Sequence, residues 1–197
     1  MRILVIGAHG TIGREIVNAL SPTHEVLGAS RGGSEIHVDI RDAASIRAMY
    51  EKAGKLDAVI SAAGSGAWKP LSDLTDDDFA TSLAYKLMGQ VNVIRFGFAH
   101  VNDGGSITTT SGILSKSPMP DGAAISLVNS GLEGFTRAAA LEAPRRIRVN
   151  VVSPPWVTET LIAMGSTDLS YGLPAATVAQ AYVRSVTGRE TGQVIEP

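Results

Sequence analysis

Short apolar runs recur along the chain at residues 2–6, 25–29, 36–38, 58–61, 106–110, 148–152 and 193–195, with longer stretches of helical spacing between most of them. The runs are rich in Val and Ile and lack polar alternation, the pattern of strands buried on both faces. Strands of that kind separated by helices predict an α/β fold: a doubly wound, mostly parallel sheet of about seven strands with helices on both faces.

The best-defined helix covers 75–101, where Phe79, Leu83, Leu87, Val91, Ile94 and Phe98 form one apolar stripe. Thr75 followed by Asp76, Asp77 and Asp78 supplies an N-cap and favourable first-turn charge. On this spacing Tyr85 points away from the stripe, which reads as an outer-face or subunit-contact residue, and Lys86 lies on the flank. Further helices are expected at 122–141 and 174–186. Only residues 30–35 join the second and third strands, whereas a parallel return normally takes about a dozen residues or more, so the third strand's direction stays open.

With 197 residues, 44% hydrophobic and 18% charged, the chain suits one buried core and is read as a single domain over 1–197. A formal charge of −2 with scattered Lys and Arg excludes a nucleic-acid-binding patch. The run at 3–6 is too short to span a bilayer and leads into glycines, so no membrane association is expected. Absence of cysteine fits the expected cytoplasmic location. No His and carboxylate cluster has metal-ligand spacing, and no metal is expected.

The first apolar run opens into Gly7-Ala8-His9-Gly10-Thr11-Ile12-Gly13. Glycines between a strand and a helix let backbone N–H groups approach a pyrophosphate, and the helix N-terminus adds partial positive charge. This predicts a dinucleotide site built on Gly7, Gly10, Thr11, Ile12 and Gly13, against the simpler reading of tight strand–helix packing. After the second strand, Ser30-Arg31 offers a hydroxyl and a guanidinium where a 2′-phosphate would sit, selecting NADP(H) over NAD(H). The competing reading is a solvated turn at Arg31-Gly32-Gly33.

Four motifs in order, the glycine turn, Ser61-Ala62-Ala63-Gly64, Leu132-Glu133-Gly134-Phe135-Thr136-Arg137 and Val151-Val152-Ser153-Pro154-Pro155-Trp156, resemble the short-chain dehydrogenase/reductase family over nearly the whole chain. The resemblance implies a Rossmann-type domain and further cofactor contacts. Asp39 and Ile40 correspond to the adenine-contacting pair, although Asp39 equally suits a cap for a helix starting near Asp42. Ala62, Ala63 and Gly64 are small enough for the adenine ribose to lie against the fourth strand. Pro154 and Val157 belong to the segment that meets the carboxamide, bordered by Trp68, Met119 and Trp156. Ser61 and Ala62 replace two asparagines that brace the fourth strand in the family, and Pro155 replaces a glycine.

The family's Tyr-x-x-x-Lys unit is missing: Ile125 stands at the tyrosine and Asn129 at the lysine. Ile125 cannot transfer a proton, and Asn129 can hydrogen-bond a ribose but carries no charge. The catalytic serine falls at Ser111 or, by strict counting, at Gly112. Lys86 stands at the family's helix asparagine, which moves a cation from one helix to the next. It is read either as a partial replacement, on ribose or on a substrate carbonyl, or as a lysine extending to solvent. The abbreviated stretch after Thr160 implies that the family's long lid is absent or reduced, leaving an open, shallow substrate site. His9 is placed near phosphate or simply in an exposed loop.

The resemblance also implies a homodimer or homotetramer built on the two long helices, with Ser130, Gly131, Gly134, Ala138 and Ala139 permitting close approach. Two functions follow. One is an NADP(H)-dependent oxidoreductase acting on a carbonyl, quinone or other electron-poor substrate with Ser111, Lys86 and Asn129 as its polar groups. The other is a catalytically inactive NADP(H)-binding sensor or scaffold.

Overall fold

A computed structural model describes residues 1–197. The main strands are β1 (Arg2–Ile6), β2 (Glu25–Ser30), β3 (Ile36–His37), β4 (Leu56–Ser61), β5 (Val101–Thr110), β6 (Arg148–Val152) and β9 (Val194–Ile195). They form one seven-stranded sheet in the order β3-β2-β1-β4-β5-β6-β9, parallel throughout. The chain starts in the middle at β1, winds outward to β3, then returns to lay β4 on the other side of β1. That reversal opens a crevice beyond the carboxyl ends of β1 and β4, the position at which open α/β sheets receive ligands.

Alternate residues of β1 serve opposite faces. Leu4 and Ile6 join one apolar cluster with Ile46, Tyr50 and Ile94, while Ile3 and Val5 join a second with Ile16, Val178 and Tyr182. The first cluster lies beneath helices α2 (Ala43–Ala53), α4 (Gly89–Gly97) and α5 (Ala123–Glu142); the second lies beneath α1 (Thr11–Leu20) and α7 (Ala175–Thr187). Full burial of each such aliphatic side chain contributes roughly 1.5–3 kcal/mol, so the two-sided sheet is the main source of stability.

β3 pairs parallel to β2, Ala29 opposite Ile36 and Ser30 opposite His37, without a crossover helix. The connection turns through Gly33 at φ +80° and is pinned by the Ser30 hydroxyl, which donates to Ser34 Oγ at 2.9 Å. With no helix above it, β2 leaves Val26 and Leu27 half-buried, a departure from the two-sided burial expected of its apolar run.

The helix expected over 75–101 is a composite. It comprises α3 (Asp76–Ser82), a π-helical segment at Leu83–Met88, and α4, ending at Gly97. The Thr75–Asp78 capping box starts it as its sequence requires. In the π segment, Gly89 N–H donates to the Ala84 carbonyl, five residues back. β5 begins at Val101, earlier than the apolar pattern suggests. Val101 pairs with Leu56 and the ladder resumes at Ser106 opposite Ala58, so the polar, glycine-rich 102–105 bulges between two paired stretches.

After β6 the chain forms β7 (Trp156–Val157), a short helix α6 (Thr158–Ala163) and β8 (Gly172–Leu173), which pairs with β7. On α5, Ala139 is buried in its own core, whereas Gly131 is exposed beside Leu87. No helix is long and apolar enough to cross a membrane.

Candidate functional site

The glycine turn is fixed by close backbone approach. Gly7 has φ +82°, and a Cβ there would meet the Ala62 carbonyl oxygen at 2.9 Å; a Cβ on Gly13 would meet the Gly7 oxygen at 2.0 Å. Gly10, at the N-cap of α1, has no side chain to offer. The N–H groups of Thr11, Ile12 and Gly13 therefore find no acceptor within the chain. Three unpaired donors at a helix N-terminus, reached over glycine backbone, fit a pyrophosphate.

Above this turn lies a cavity of ≈ 350 Å³. Gly7, Gly10, Ala62, Ala63 and Gly64 form its narrow side, while Val38 and Ile40 make an apolar wall suited to an adenine ring. His9 also lines it, and Ser30 and Arg31 stand at one end. The side chain of Tyr85 completes that end: its ring centroid is 5.6 Å from Arg31 Cζ and 5.7 Å from Arg41 Cζ. Tyr85 is thus not an outer-face residue. The expectation assumed an unbroken 3.6-residue period, whereas the π segment turns Tyr85 inward.

Asp39 is not the helix cap. Asp42 caps α2 by accepting from Ala44 N–H at 2.8 Å. The Asp39 carboxylate instead accepts from the Arg41 guanidinium, which pulls its pKa down to about 2, and it does not line the cavity. Bracing of β4, left open by Ser61 and Ala62, comes from Thr110, whose hydroxyl donates to the Ser61 carbonyl at 2.6 Å.

A second cavity, ≈ 200 Å³, holds Lys86, Ser111, Ile125, Asn129, Pro154 and Val157. Lys86 does not extend to solvent: it is half-buried, and its ammonium donates to the Ser111 carbonyl at 3.1 Å. Burial pulls its pKa down to about 8. Asn129 donates through Nδ2 to the Gly112 carbonyl at 3.2 Å, while its buried Oδ1 lacks a partner. Ser111 Oγ donates to Glu133 Oε1 at 2.9 Å, and Ser115 Oγ donates to the same oxygen at 2.6 Å. The serine hydroxyl is therefore turned toward a buried carboxylate.

A third cavity, ≈ 360 Å³, adjoins both: it shares Gly64 with the first and Lys86, Ile125, Trp156 and Thr160 with the second. Trp68, Trp156 and Met164 give it an apolar wall, the indoles meeting edge to face with centroids 5.6 Å apart. Met119, expected beside them, lines none of these cavities and is 46% exposed, because it sits at the turn where its carbonyl accepts from Gly122.

Two residues escaped the sequence reading. Gln90 is fully buried, donating to the Lys86 and Thr110 carbonyls at 3.0 and 2.7 Å and accepting from Thr110 N–H at 2.8 Å. It ties the π segment to the end of β5. Glu133 anchors Ser111 to α5. The available signals were a polar residue interrupting an apolar stripe one turn after Lys86, and an acid four residues after Asn129.

Comparison with known proteins agrees with this architecture. The protein lin1944 from Listeria innocua superposes with a TM-score of 0.95 at 39% identity, covering 100% of this chain and 98% of that one. A small-chain dehydrogenase solved in complex with NADPH gives 0.87 at 27% identity, covering 100% and 96%. The hydroxynaphthalene reductase-like protein Arp2 of Metarhizium brunneum is 29% identical over 147 residues, 70% of this chain and 55% of that protein. Against the curated relatives it matches, this chain thus spans little more than half the length. The family profile described as enoyl-(acyl carrier protein) reductase matches residues 11–195, and on that match the chain belongs to the short-chain dehydrogenase/reductase family.

Proposed function

We propose that the protein is an NADP(H)-dependent oxidoreductase that reduces a carbonyl, quinone or other electron-poor compound. The observation that carries this reading is the run of three adjoining cavities, with unpaired N–H donors and Arg31 at one end and Lys86 where the other two meet. Thr11, Ile12 and Gly13 hold the pyrophosphate through their backbone; Ser30 and Arg31 hold the 2′-phosphate, with Tyr85 stacked on the guanidinium. Val38, Ile40, Ala62, Ala63 and Gly64 enclose the adenosine. Pro154, Val157 and Asn129 border the nicotinamide, and the bound dinucleotide supplies the hydride. The NADPH held by a solved relative supports the cofactor assignment.

Ile125 favours a second reading, since it lines both inner cavities with a group that cannot move a proton. Under it, the protein binds NADP(H) without turnover, as a sensor or scaffold.

Titration with NADPH and NADH, followed by energy transfer from Trp68 and Trp156 to the reduced nicotinamide, tests the first step. NADPH is expected to bind more tightly, and Arg31→Ala to weaken NADPH by about 1.5–3 kcal/mol, roughly 10- to 150-fold, with little change for NADH. Equal affinity for the two in the unmodified protein defeats the Arg31 assignment. Binding without oxidation of NADPH by any electron-poor acceptor selects the sensor.

A further inference from the structure

We infer that Lys86 delivers the proton to the substrate oxygen, and that the cavity bounded by Trp68 and Trp156 takes a planar aromatic carbonyl compound of the quinone class. The inference rests on the oxidoreductase reading and specifies its proton source and its substrate.

Shape and chemistry of the third cavity define the guest. Its indoles are inclined at 76°, so they form a corner in which a flat ring can stack on one indole and meet the other edge-on. Ile125 and Met164 extend the apolar surface, and Gly64 and Gly66 present backbone without side chains. Lys86 is the sole charged residue lining this cavity, so a guest there meets one cation and no carboxylate. An uncharged planar ring with a polar oxygen directed at Lys86 satisfies both features.

The position of Lys86 selects it as the proton source. It alone among ionisable residues lines both the third cavity and the cavity beside Asn129 and Pro154. Only one protein acceptor, the Ser111 carbonyl, engages its ammonium, which carries three N–H bonds. Ser65 and Thr160, the hydroxyls lining the third cavity, are far weaker acids, and the Ser111 proton is directed to Glu133. With a pKa of about 8, the ammonium is tuned close to the operating range of a general acid.

Charged and titratable groups on the surrounding elements are few, and all but Asp77 are otherwise engaged. Tyr85, the preceding residue, faces Arg31 and Arg41. Asp78 on α3 pairs with Lys69, and Asp77 lies beside it on that helix. Glu133 on α5 accepts from Ser111 and Ser115, and Glu159 on α6 accepts from Ala175 N–H. None of these is an ion-pair partner of Lys86.

In reduction the carbonyl carbon gains a hydride, and its oxygen gains a proton from Lys86. The Nζ–H bond breaks as the O–H bond forms, the nitrogen keeps the electron pair, and solvent reprotonates the neutral amine. The balance is one carbonyl, one reduced nicotinamide and one proton giving one alcohol and one oxidised nicotinamide; from an ortho-quinone that alcohol is a hydroxy-ketone, which becomes the hydroquinone when its C–H proton is lost to solvent and the second oxygen takes one up.

The test uses 9,10-phenanthrenequinone, with camphorquinone as a non-planar dicarbonyl control, on the full chain and on Lys86→Ala and Lys86→Arg. NADPH binding is measured first, so loss of the oxidoreductase reading is distinguished from loss of this one. Phenanthrenequinone is expected to quench the two tryptophans, Trp68 and Trp156, where camphorquinone does not. Turnover should fall as pH rises through about 8, the pH at which Lys86 loses its proton. Lys86→Ala should lose about 100-fold or more in kcat together with that pH limb, and Lys86→Arg should retain quinone binding but not turnover, because guanidinium withholds its proton.

Peptide mapping after reductive methylation supplies a readout independent of activity. Lys86 should become half-reactive at about pH 8 and be shielded by phenanthrenequinone. Wild-type kcat in Lys86→Arg, or a pH limb that survives in Lys86→Ala, overturns the proton assignment. Failure of phenanthrenequinone to quench, or quenching equal to that by camphorquinone, overturns the substrate class.

Discussion

At the glycine turn, backbone meets backbone: Gly7 lies against Ala62, and Gly13 lies against Gly7. Across the sheet, at the end of β5, side chains do the positioning: Gln90 holds Thr110 and the Lys86 carbonyl, Glu133 holds Ser111, and Asn129 holds Gly112. The first region tolerates almost no substitution because there is no space for an atom. The second tolerates replacement of one polar group by another, provided that buried partners remain paired. One chain can therefore hold a rigid backbone turn beside a region, around Ile125 and Asn129, whose polar groups are free to be exchanged.

The contrast can be broken most severely at Gly13. Gly13→Ala sets a methyl 2.0 Å from the Gly7 oxygen and should cost about 3 kcal/mol or more, read as a lowered midpoint in urea unfolding with loss of NADPH binding. A variant with wild-type stability and affinity would remove steric closure as the reason for these glycines. Gln90→Leu is the matching disruption at the other end. It strands the Thr110 N–H in a buried position and should cost about 1–3 kcal/mol in the same assay. It should also alter the pH limb assigned to Lys86, a change that a purely structural role for Gln90 would not produce.

The smallest effect concerns Asp39, whose carboxylate is not among the groups that line the first cavity. Its pKa falls from 3.8 to about 2 on folding, chiefly through hydrogen bonding to Arg41. The unfolded chain binds more protons between those values, so the contribution is complete above about pH 3.8 and disappears as pH falls through about 2. Solvent screening reduces it to about 0.5–1 kcal/mol. Asp39→Asn should therefore match the parent protein below pH 2 and be slightly less stable at neutral pH in denaturant melts.

Much of the fold was legible because its parallel strands are continuous Val- and Ile-rich runs and its glycine turn has a backbone requirement. The exceptions have local causes. β5 hid its start behind the bulged 102–105, and β3 joined the sheet in parallel through a pinned turn in place of a helix. At the site, Arg31 and Ile40 line the first cavity and Lys86 lines the other two. Tyr85 was assigned to the wrong face because the hydrophobic period cannot report a π turn. Asp42, one residue before α2, took the capping role that Asp39 also suited. Glu133 and Gln90 remained invisible because their importance lies in partners more than fifteen residues away: Ser111 and Ser115 for one, Thr110 for the other.

The π segment at Leu83–Met88 amounts to a spare residue carried inside a helix. Its value is directional: neighbouring Tyr85 and Lys86 serve different cavities, one facing the arginines and the other facing the indoles. Deleting a single residue there would restore ordinary helical phase and rotate whatever lies beyond by about 100°. The stripe that seats α4 in the core would then be out of step with the residues that serve the site. Length itself, as much as the identity of either side chain, therefore decides what this stretch presents to the site.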